Sequence, residues 1–201
     1  MENKNKMTST SNLVKMGVLS ALAFVLMEML EIRLPFFPEF LKIDFGDVPA
    51  VIATLVIHPF AGVVVVAMKN LLGLMGSTSG GIGEIANVLV GIAYILPIAI
   101  FTKRSGSLKN VIIGSVVGVG LMIIAGMLTN AFITLPLYGE AATIQAGAAI
   151  NPRIVDKTTF LIYIIAPFNA LKGVLVAAAS ITIVKAAQPM FKFLKGQKAA
   201  H

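Results

Sequence analysis

Lys172 and Asn169 place a charge and an amide inside one of the most apolar parts of the sequence. Both lie in the run Thr158–Ala187, which is long enough to cross a bilayer. A charged side chain near the centre of a membrane helix costs at least about 2.5–3.5 kcal/mol on insertion scales. Lys172 therefore requires a partner, a water-filled cavity or a function. Because Asn169 comes three residues earlier, the two side chains share a helix face and predict a polar site at membrane depth.

Further polar side chains interrupt other apolar runs, nearly all toward the same side of the membrane. They are Lys69, Asn70, Glu84, Asn87, Thr129 and Asn130. An asparagine amide offers both donors and an acceptor, which suits a ligand with alternating donors and acceptors, such as a uracil-like ring edge. Lys172 would donate to a carbonyl or an anionic group, and the phenylalanines of segment 36–45 could cover a flat ring. We expect one pocket that opens to the outside.

Each polar residue also has a structural explanation. Asparagine and threonine in membrane helices often bond neighbouring helices, contributing about 0.6 kcal/mol each. Lys69 could snorkel or pair with Glu84, and we favour a structural role for it. Glu28 and Glu31 are expected to be solvated near an interface. Lys172 is the strongest functional candidate, because an intramembrane charge marks a functional site by default.

The composition predicts an all-α integral membrane protein with one domain over residues 1–201. Of the 201 residues 57% are hydrophobic and 12% charged, against roughly 25% charged in soluble domains. Cysteine is absent, which excludes disulfides and thiolate metal sites. No Walker A, G-x-S-x-G or H-E-x-x-H motif is present. We expect no enzyme activity, metal or cofactor, and active transport would need a partner or an ion gradient.

Six transmembrane helices are predicted, at about residues 13–30, 50–57, 60–75, 82–102, 111–135 and 158–187. The second and third are short and meet at His58-Pro59, and such Pro-interrupted segments are typical of transporters. A loop rich in proline and aromatic residues precedes them, at 34–49. A polar connection is expected at 136–157.

The basic residues predict that both termini are cytoplasmic, since Lys and Arg concentrate on the inner side. The side with the termini would hold Lys4, Lys6, Lys15, Lys103, Arg104, Lys109, Lys185, Lys192, Lys195 and Lys198. The other side would hold Arg33, Lys42, Arg153 and Lys157. The net charge of +7 is thus a topology signal, and no nucleic-acid partner is needed to explain it.

A stripe of small residues lies on the first helix, from Gly17 to Ala21. Small residues four apart let helices approach closely. The stripe predicts either packing within the bundle or a docking face for a partner membrane protein.

Several segments, in this order along the chain, resemble the riboflavin-specific S components, the RibU type, of energy-coupling factor (ECF) transporters. The segments are Phe40–Pro49, His58–Gly62, Lys69–Leu72, Gly83–Asn87, Leu128–Phe132, Leu135–Gly139 and Pro167–Gly173. Together they span nearly the whole chain.

The resemblance implies an S-component fold with six helices in a bacterial cell membrane, which binds riboflavin from the outside under the loop between the first two helices. It implies partners: a transmembrane T protein and two cytoplasmic ATPases. By motif match, ligand contacts would come from Asn87, Asn130, Asn169 and Lys172. The candidate set also includes Ile43, Phe45, Gly81 and Glu84. The family docks on its T protein through an Ala-x-x-x-Ala pattern, for which this chain has Gly17 and Ala21.

Two other functions remain open from the sequence. The first is a solitary secondary transporter of another small, vitamin-like solute, coupled to a proton or an ion through Glu84 or Lys172. The second is an intramembrane enzyme, which is disfavoured because no nucleophile–base pair or metal cluster is apparent.

Overall fold

The protein is a bundle of helices with one small hairpin. The computed structural model describes the backbone of residues 7–199 and the side chains of residues 7–187. Within these residues seven helices form, and we number them in chain order. They are α1 (Thr10–Met29), α2 (Asp47–Val56), α3 (Ala61–Gly73), α4 (Ile82–Thr102), α5 (Leu108–Tyr138), α6 (Glu140–Ile150) and α7, which begins at Lys157 and continues as Ala166–Ala199.

Four of these helices, α1, α4, α5 and α7, are long and apolar enough to cross a membrane. The shorter helices α2 and α3 are also apolar and meet in a turn at His58-Pro59, where the sequence predicted one. The terminal lysines Lys4 and Lys6, which the orientation argument used, lie outside the described residues. Side chains of the basic tail after residue 187 also lie outside them.

The predicted loop between α1 and α2 contains a small antiparallel hairpin. Strand β1 (Ile32–Arg33) pairs with β2 (Lys42–Ile43), with Ile32 opposite Ile43. Glu31 sits at its base, where it accepts a hydrogen bond from Arg33 at 2.6 Å and lies 2.8 Å from Lys42 Nζ. Burial raises the pKa of Glu31, but its bonds to Lys42 and Arg33 outweigh this and hold the pKa below its usual range. Glu31 is therefore paired with two basic residues, and its side chain is still 24% exposed, which agrees with the solvated position expected from the sequence.

The expected polar connection at 136–157 is largely helical. Residues Glu140–Ile150 form α6, which the sequence analysis did not predict. Its alanines favour a helix, and Gly139, at φ +90°, lets the chain turn sharply between α5 and α6. At eleven residues α6 is too short to cross a bilayer.

Two π-helical turns interrupt the long helices. One is Asn130–Thr134 in α5, and the other is Leu161–Ile165 in α7. Such turns widen a helix locally and occur often at functional sites. Both lie toward the hairpin end of the bundle, where they shift the side chains that follow.

Glycines allow α4 and α5 to pack closely. A Cβ on Gly114 would lie 2.7 Å from the Cα of Ile98, and one on Gly118 would lie 2.6 Å from the backbone oxygen of Tyr94. Any side chain at these positions would push the helices apart. Gly120, on the same helix, faces open space. The close approach fixes α4 against α5, and both helices contribute to the site described below.

We predict that Gly118→Val destabilises the protein by about 1–3 kcal/mol, because overpacking forces a backbone shift. Gly120→Val is the matched control: it makes the same chemical change on the same helix but meets no atom within 4 Å. Thermal unfolding in detergent would measure both variants. Equal melting temperatures for the two would contradict the packing assigned to α4 and α5.

Candidate functional site

A cavity of about 860 Å³ lies beneath the hairpin, among α1, α3, α4, α5, α6 and α7. Its volume falls within the range of about 300–1,000 Å³ that is typical of small-molecule sites. The polar side chains of its wall that matter most are Asp44, Asn70, Glu84, Asn87, Asn130, Thr134, Asn169 and Lys172. The cavity therefore gathers polar groups from distant parts of the chain.

Lys172 is tied to two acceptors inside this cavity. Its ammonium group donates to Asp44 Oδ2 at 2.7 Å and to Asn87 Oδ1 at 2.9 Å. The residue is only 4% exposed. The sequence predicted that this charge needs a partner, and Asp44, 128 positions away in the chain, is that partner.

A second buried lysine lies close to Asp44 and to another aspartate. Lys69 Nζ lies 2.8 Å from Asp47 Oδ1 and 3.4 Å from Asp44 Oδ1. Asp47 and Lys69 are fully buried, and the side chains of Asp44 and Lys172 are 5% exposed. Two lysines and two aspartates carry no net charge together. We call these four residues the charge cluster. Lys69 does not pair with Glu84, as one alternative from the sequence proposed.

Asp44 stays ionised because of this cluster. Burial alone would raise the pKa of Asp44, but the charges of Lys172 and Lys69 hold it well below its usual range. A group whose pKa is lower in the folded than in the unfolded state contributes stability above its unfolded value, about pH 4. That contribution is lost as the pH falls through the folded-state value. Asp44 therefore keeps its charge throughout the physiological pH range.

The asparagines extend the cluster and line the cavity. Asn87 donates to Asn70 Oδ1 at 3.0 Å, so α3, α4 and α7 meet through one chain of hydrogen bonds. Asn130 and Asn169 instead donate to carbonyls of their own helices, at Gly126 and Ile165. Their amide groups are thereby oriented, and both residues line the cavity.

Two buried oxygen atoms on the α5 π turn have no hydrogen-bond partner within the described residues. They are Asn130 Oδ1 and Thr134 Oγ1. In this turn the Asn130 carbonyl accepts from Leu135 N–H, as the π-helical pattern requires. Buried polar atoms are nearly always bonded, so two without a partner, in residues that line the cavity, distinguish this turn from the rest of α5.

The close packing of α5 against α7 determines the position of the Asn169 side chain. A Cβ on Gly126 would collide with the Asn169 amide, with its Cγ only 2.6 Å away. The absence of a side chain at Gly126 thus gives Asn169 its position between α5 and α7. This is a requirement that the sequence pattern alone did not reveal.

Aromatic side chains form the apolar part of the cavity wall. Phe37 of the hairpin loop meets Phe168 edge-on, with ring centroids 5.3 Å apart, and Phe40 approaches Tyr138 at the same separation. All four line the cavity. Two hairpin-loop residues thus contact α7 and α5 on the hairpin side of the cavity. Phe36 and Phe45, the other phenylalanines of segment 36–45, are not among the residues that line it.

The other predicted site residues lie in different surroundings. Glu84 lines the cavity and accepts hydrogen bonds from Ser77 and Ser79, which fixes the loop before α4. Gly81, at φ +90°, begins α4. Ile43 and Phe45 pack into the apolar core. Gly81, Ile43 and Phe45 are not among the residues that line the cavity, and their role in binding stays a prediction.

The small-residue stripe of α1 is exposed. Gly17 and Ala21 both lie at the surface, and a Cβ on Gly17 would meet nothing within 4 Å. Large apolar neighbours on the same face, Val14, Val18 and Leu22, are also exposed. Within the described part of the chain, the stripe is therefore not used for packing inside the bundle.

Comparison with known proteins shows the family to which this chain belongs. The family model of the ECF transporter substrate-specific component matches residues 11–184. The chain belongs to this family. Its members are S components of transporters, and the four long apolar helices agree with a multi-pass protein of a bacterial cell membrane.

Individual relatives align with nearly the whole length of this chain. The riboflavin transporter FmnP of Bacillus subtilis is 34% identical over 194 residues, which are 94% of this chain and 96% of the relative. The riboflavin transporter RibU of Staphylococcus aureus is 33% identical over 182 residues, 90% of this chain and 93% of the relative. A solved structure of the S component of a bacterial ECF transporter has a TM-score of 0.72 at 32% identity, covering 90% of this chain and 96% of that one.

Sequence reasoning missed several residues of this site. Asp44 and Asp47 lie outside the apolar runs, in the predicted loop 34–49, and the sequence alone assigned them no role, although they supply both negative charges of the cluster. Lys69 and Lys172 lie in apolar segments that contain no nearby acid. This was the signal that their acidic partners had to come from another part of the chain. Thr134 was missed because nothing in the sequence marked the π turn.

We predict that Lys69→Met destabilises the S component by about 3–5 kcal/mol, because it leaves a buried carboxylate without its partner. Adding Asp47→Asn removes one charge of each sign and should recover roughly half of the loss or more. Thermal unfolding in detergent measures both variants.

The control for these variants is Glu140→Gln, which breaks the exposed Lys157–Glu140 pair and should change stability by less than about 1 kcal/mol. A double variant that is no more stable than Lys69→Met alone would contradict the charge balance described for the cluster.

Proposed function

We propose that this S component binds riboflavin from the extracellular side and delivers it to an ECF transporter for ATP-driven uptake. The observation that carries the proposal is the cavity itself. It combines an aromatic wall with oriented amides and a buried lysine, and it lies under a short hairpin between the first two helices. Two relatives above 30% identity are riboflavin transporters by name, which supports the choice of ligand.

The chemistry of the cavity suits a flat ring with a polar edge. An isoalloxazine ring would lie against the side chains of Phe37, Phe40 and Phe168, because an extended aromatic system gains both apolar burial and stacking there. The ring edge and the ribityl hydroxyls need donors and acceptors. Asn130 and Asn169 can supply both, and Lys172 supplies donors. Riboflavin is thus a transported solute here and not a cofactor.

The proposed membrane topology places six segments in the membrane, α1 to α5 and α7, with both termini in the cytoplasm. Of these, α2 has only ten residues and would not cross a full bilayer by itself. The short helix α6 would stay on the outer side with the hairpin. The distribution of lysine and arginine supports this orientation, since Lys103, Arg104 and Lys109 follow α4 at the end opposite to the cavity.

The energy would come from partners, namely a T protein and two cytoplasmic ATPases. The exposed Gly17–Ala21 stripe supports a docking role, because small residues on a surface helix allow a second helix to approach closely. Solitary secondary transport is less well supported. Glu84 is bonded to two serines, and Lys172 belongs to a neutral cluster, so both groups already have partners within the protein.

We predict that Lys172→Ala weakens riboflavin binding by more than about tenfold, because hydrogen bonds from a charged group contribute about 1.5–3 kcal/mol. Titration of the purified protein, followed by quenching of flavin fluorescence, measures the affinity. Lys185→Ala is the control: it removes the same charge from an exposed position at the far end of the same helix. Unchanged affinity in Lys172→Ala would remove Lys172 from the site.

We also predict that Gly17→Leu lowers riboflavin uptake several-fold but leaves binding unchanged, since it obstructs docking and not the cavity. Leucine favours a helix more than glycine does, so the helix should not be weakened. Uptake is measured in vesicles that contain this protein with its T protein and ATPases, with and without ATP. Gly120→Leu, at another open surface position, is the control.

Uptake by vesicles that contain this protein alone, driven by a pH gradient, would contradict the ECF mechanism and favour a secondary transporter.

A further inference from the structure

Asp44 connects the hairpin to two helices at once. It follows β2 directly, and its Oδ1 accepts the Gly46 N–H at 2.9 Å. The same oxygen lies 3.4 Å from Lys69 of α3, while Oδ2 accepts from Lys172 of α7 at 2.7 Å. Each carboxylate oxygen therefore faces a different lysine, and the shorter contact is the one to Lys172.

The position of the Lys172 ammonium depends on this contact. Lysine has a flexible four-carbon stem, so its head group takes the position that its acceptors define. The ammonium has three donors, of which two go to Asp44 and Asn87. One donor is left for a ligand, because Lys172 lines the cavity. Asp44 and Asn87 hold the head group from two sides and thereby direct the third donor.

The contact also joins the hairpin to the helix bundle. The hairpin is held to the bundle by apolar contacts, such as Phe37 with Phe168, and by the buried carboxylate of Asp44. Apolar contacts are not directional, whereas a buried ion pair is strongly favoured in one arrangement only. Asp44 thus fixes the position of the end of β2 relative to α7.

We propose that Asp44 is the positioning residue for Lys172 and that their ion pair couples the position of the hairpin on the bundle to occupation of the cavity. The proposal rests on the proposed function for the identity of the ligand. A ligand that bonds Lys172 favours the arrangement in which Asp44 also holds it. By linkage, a hairpin that is held by Asp44 then favours the ligand to the same extent.

The first test is a double-mutant cycle on riboflavin affinity. Asp44→Asn should weaken binding about tenfold, because the lysine loses its charged acceptor. In a Lys172→Met background the same Asp44→Asn substitution should change affinity by less than about twofold, since its effect passes through Lys172. Equal effects in both backgrounds would mean that Asp44 acts independently of Lys172, and the proposal would be overturned.

The double variant also serves as the folding check. It removes one charge of each sign, so the remaining cluster of Lys69 and Asp47 stays neutral. A matched control is Asp47→Asn, which removes the same charge from the same cluster but contacts Lys69 and not Lys172. We expect Asp47→Asn to lower the melting temperature yet to change riboflavin affinity by less than about threefold. A loss of affinity equal to that of Asp44→Asn would assign the effect to charge balance and overturn the proposal.

The second test needs no ligand. Hydrogen–deuterium exchange of the ligand-free protein should be faster in residues 31–43 of Asp44→Asn than in those of the unsubstituted protein and of Asp47→Asn. Unchanged exchange in Asp44→Asn would overturn the coupling. A lack of riboflavin binding by the unsubstituted protein would overturn the proposed function instead, so the two failures are distinguishable.

Discussion

Charge neutrality in the buried interior of the bundle is the constraint on which the rest of this structure depends. An isolated buried lysine or aspartate is very costly in an apolar surrounding, and pairing alone repays the cost only when the geometry is good. The protein brings two lysines and two aspartates together so that each ammonium lies within 2.8 Å of a carboxylate. Meeting this requirement fixes α2, α3 and α7 relative to one another and holds the end of the hairpin against them.

The same arrangement produces the binding site. Asp44 and Lys172 belong both to the charge cluster and to the cavity wall, so the interactions that stabilise the bundle also orient polar groups toward a ligand. Asn87 and Asn70 continue the network on one side. On the other side, buried oxygen atoms of Asn130 and Thr134 have no hydrogen-bond partner among the residues that the structure describes. Stability and recognition thus share residues, and few of these positions could change independently.

The sequence predicted the parts of this account that depend on local pattern. Hydropathy predicted the long helices, and the intramembrane position of Lys172 showed that a buried charge needed an explanation. The partners could not be predicted in the same way, because Asp44 and Lys172 are 128 residues apart and nothing local links them. The π turns and α6 were missed for a related reason. Their conformation is determined by packing and by the turn at Gly139, not by the periodicity of apolar residues.

The central claim is that this cavity holds a flavin, and the absorption spectrum of the protein tests it most directly. The protein would be produced in cells supplied with riboflavin, purified in detergent and separated from free ligand by size exclusion. The account predicts a yellow protein whose folded peak carries a flavin spectrum at about one flavin per chain, as expected for one enclosed site. A folded but colourless protein, which stays colourless after incubation with riboflavin, would contradict it.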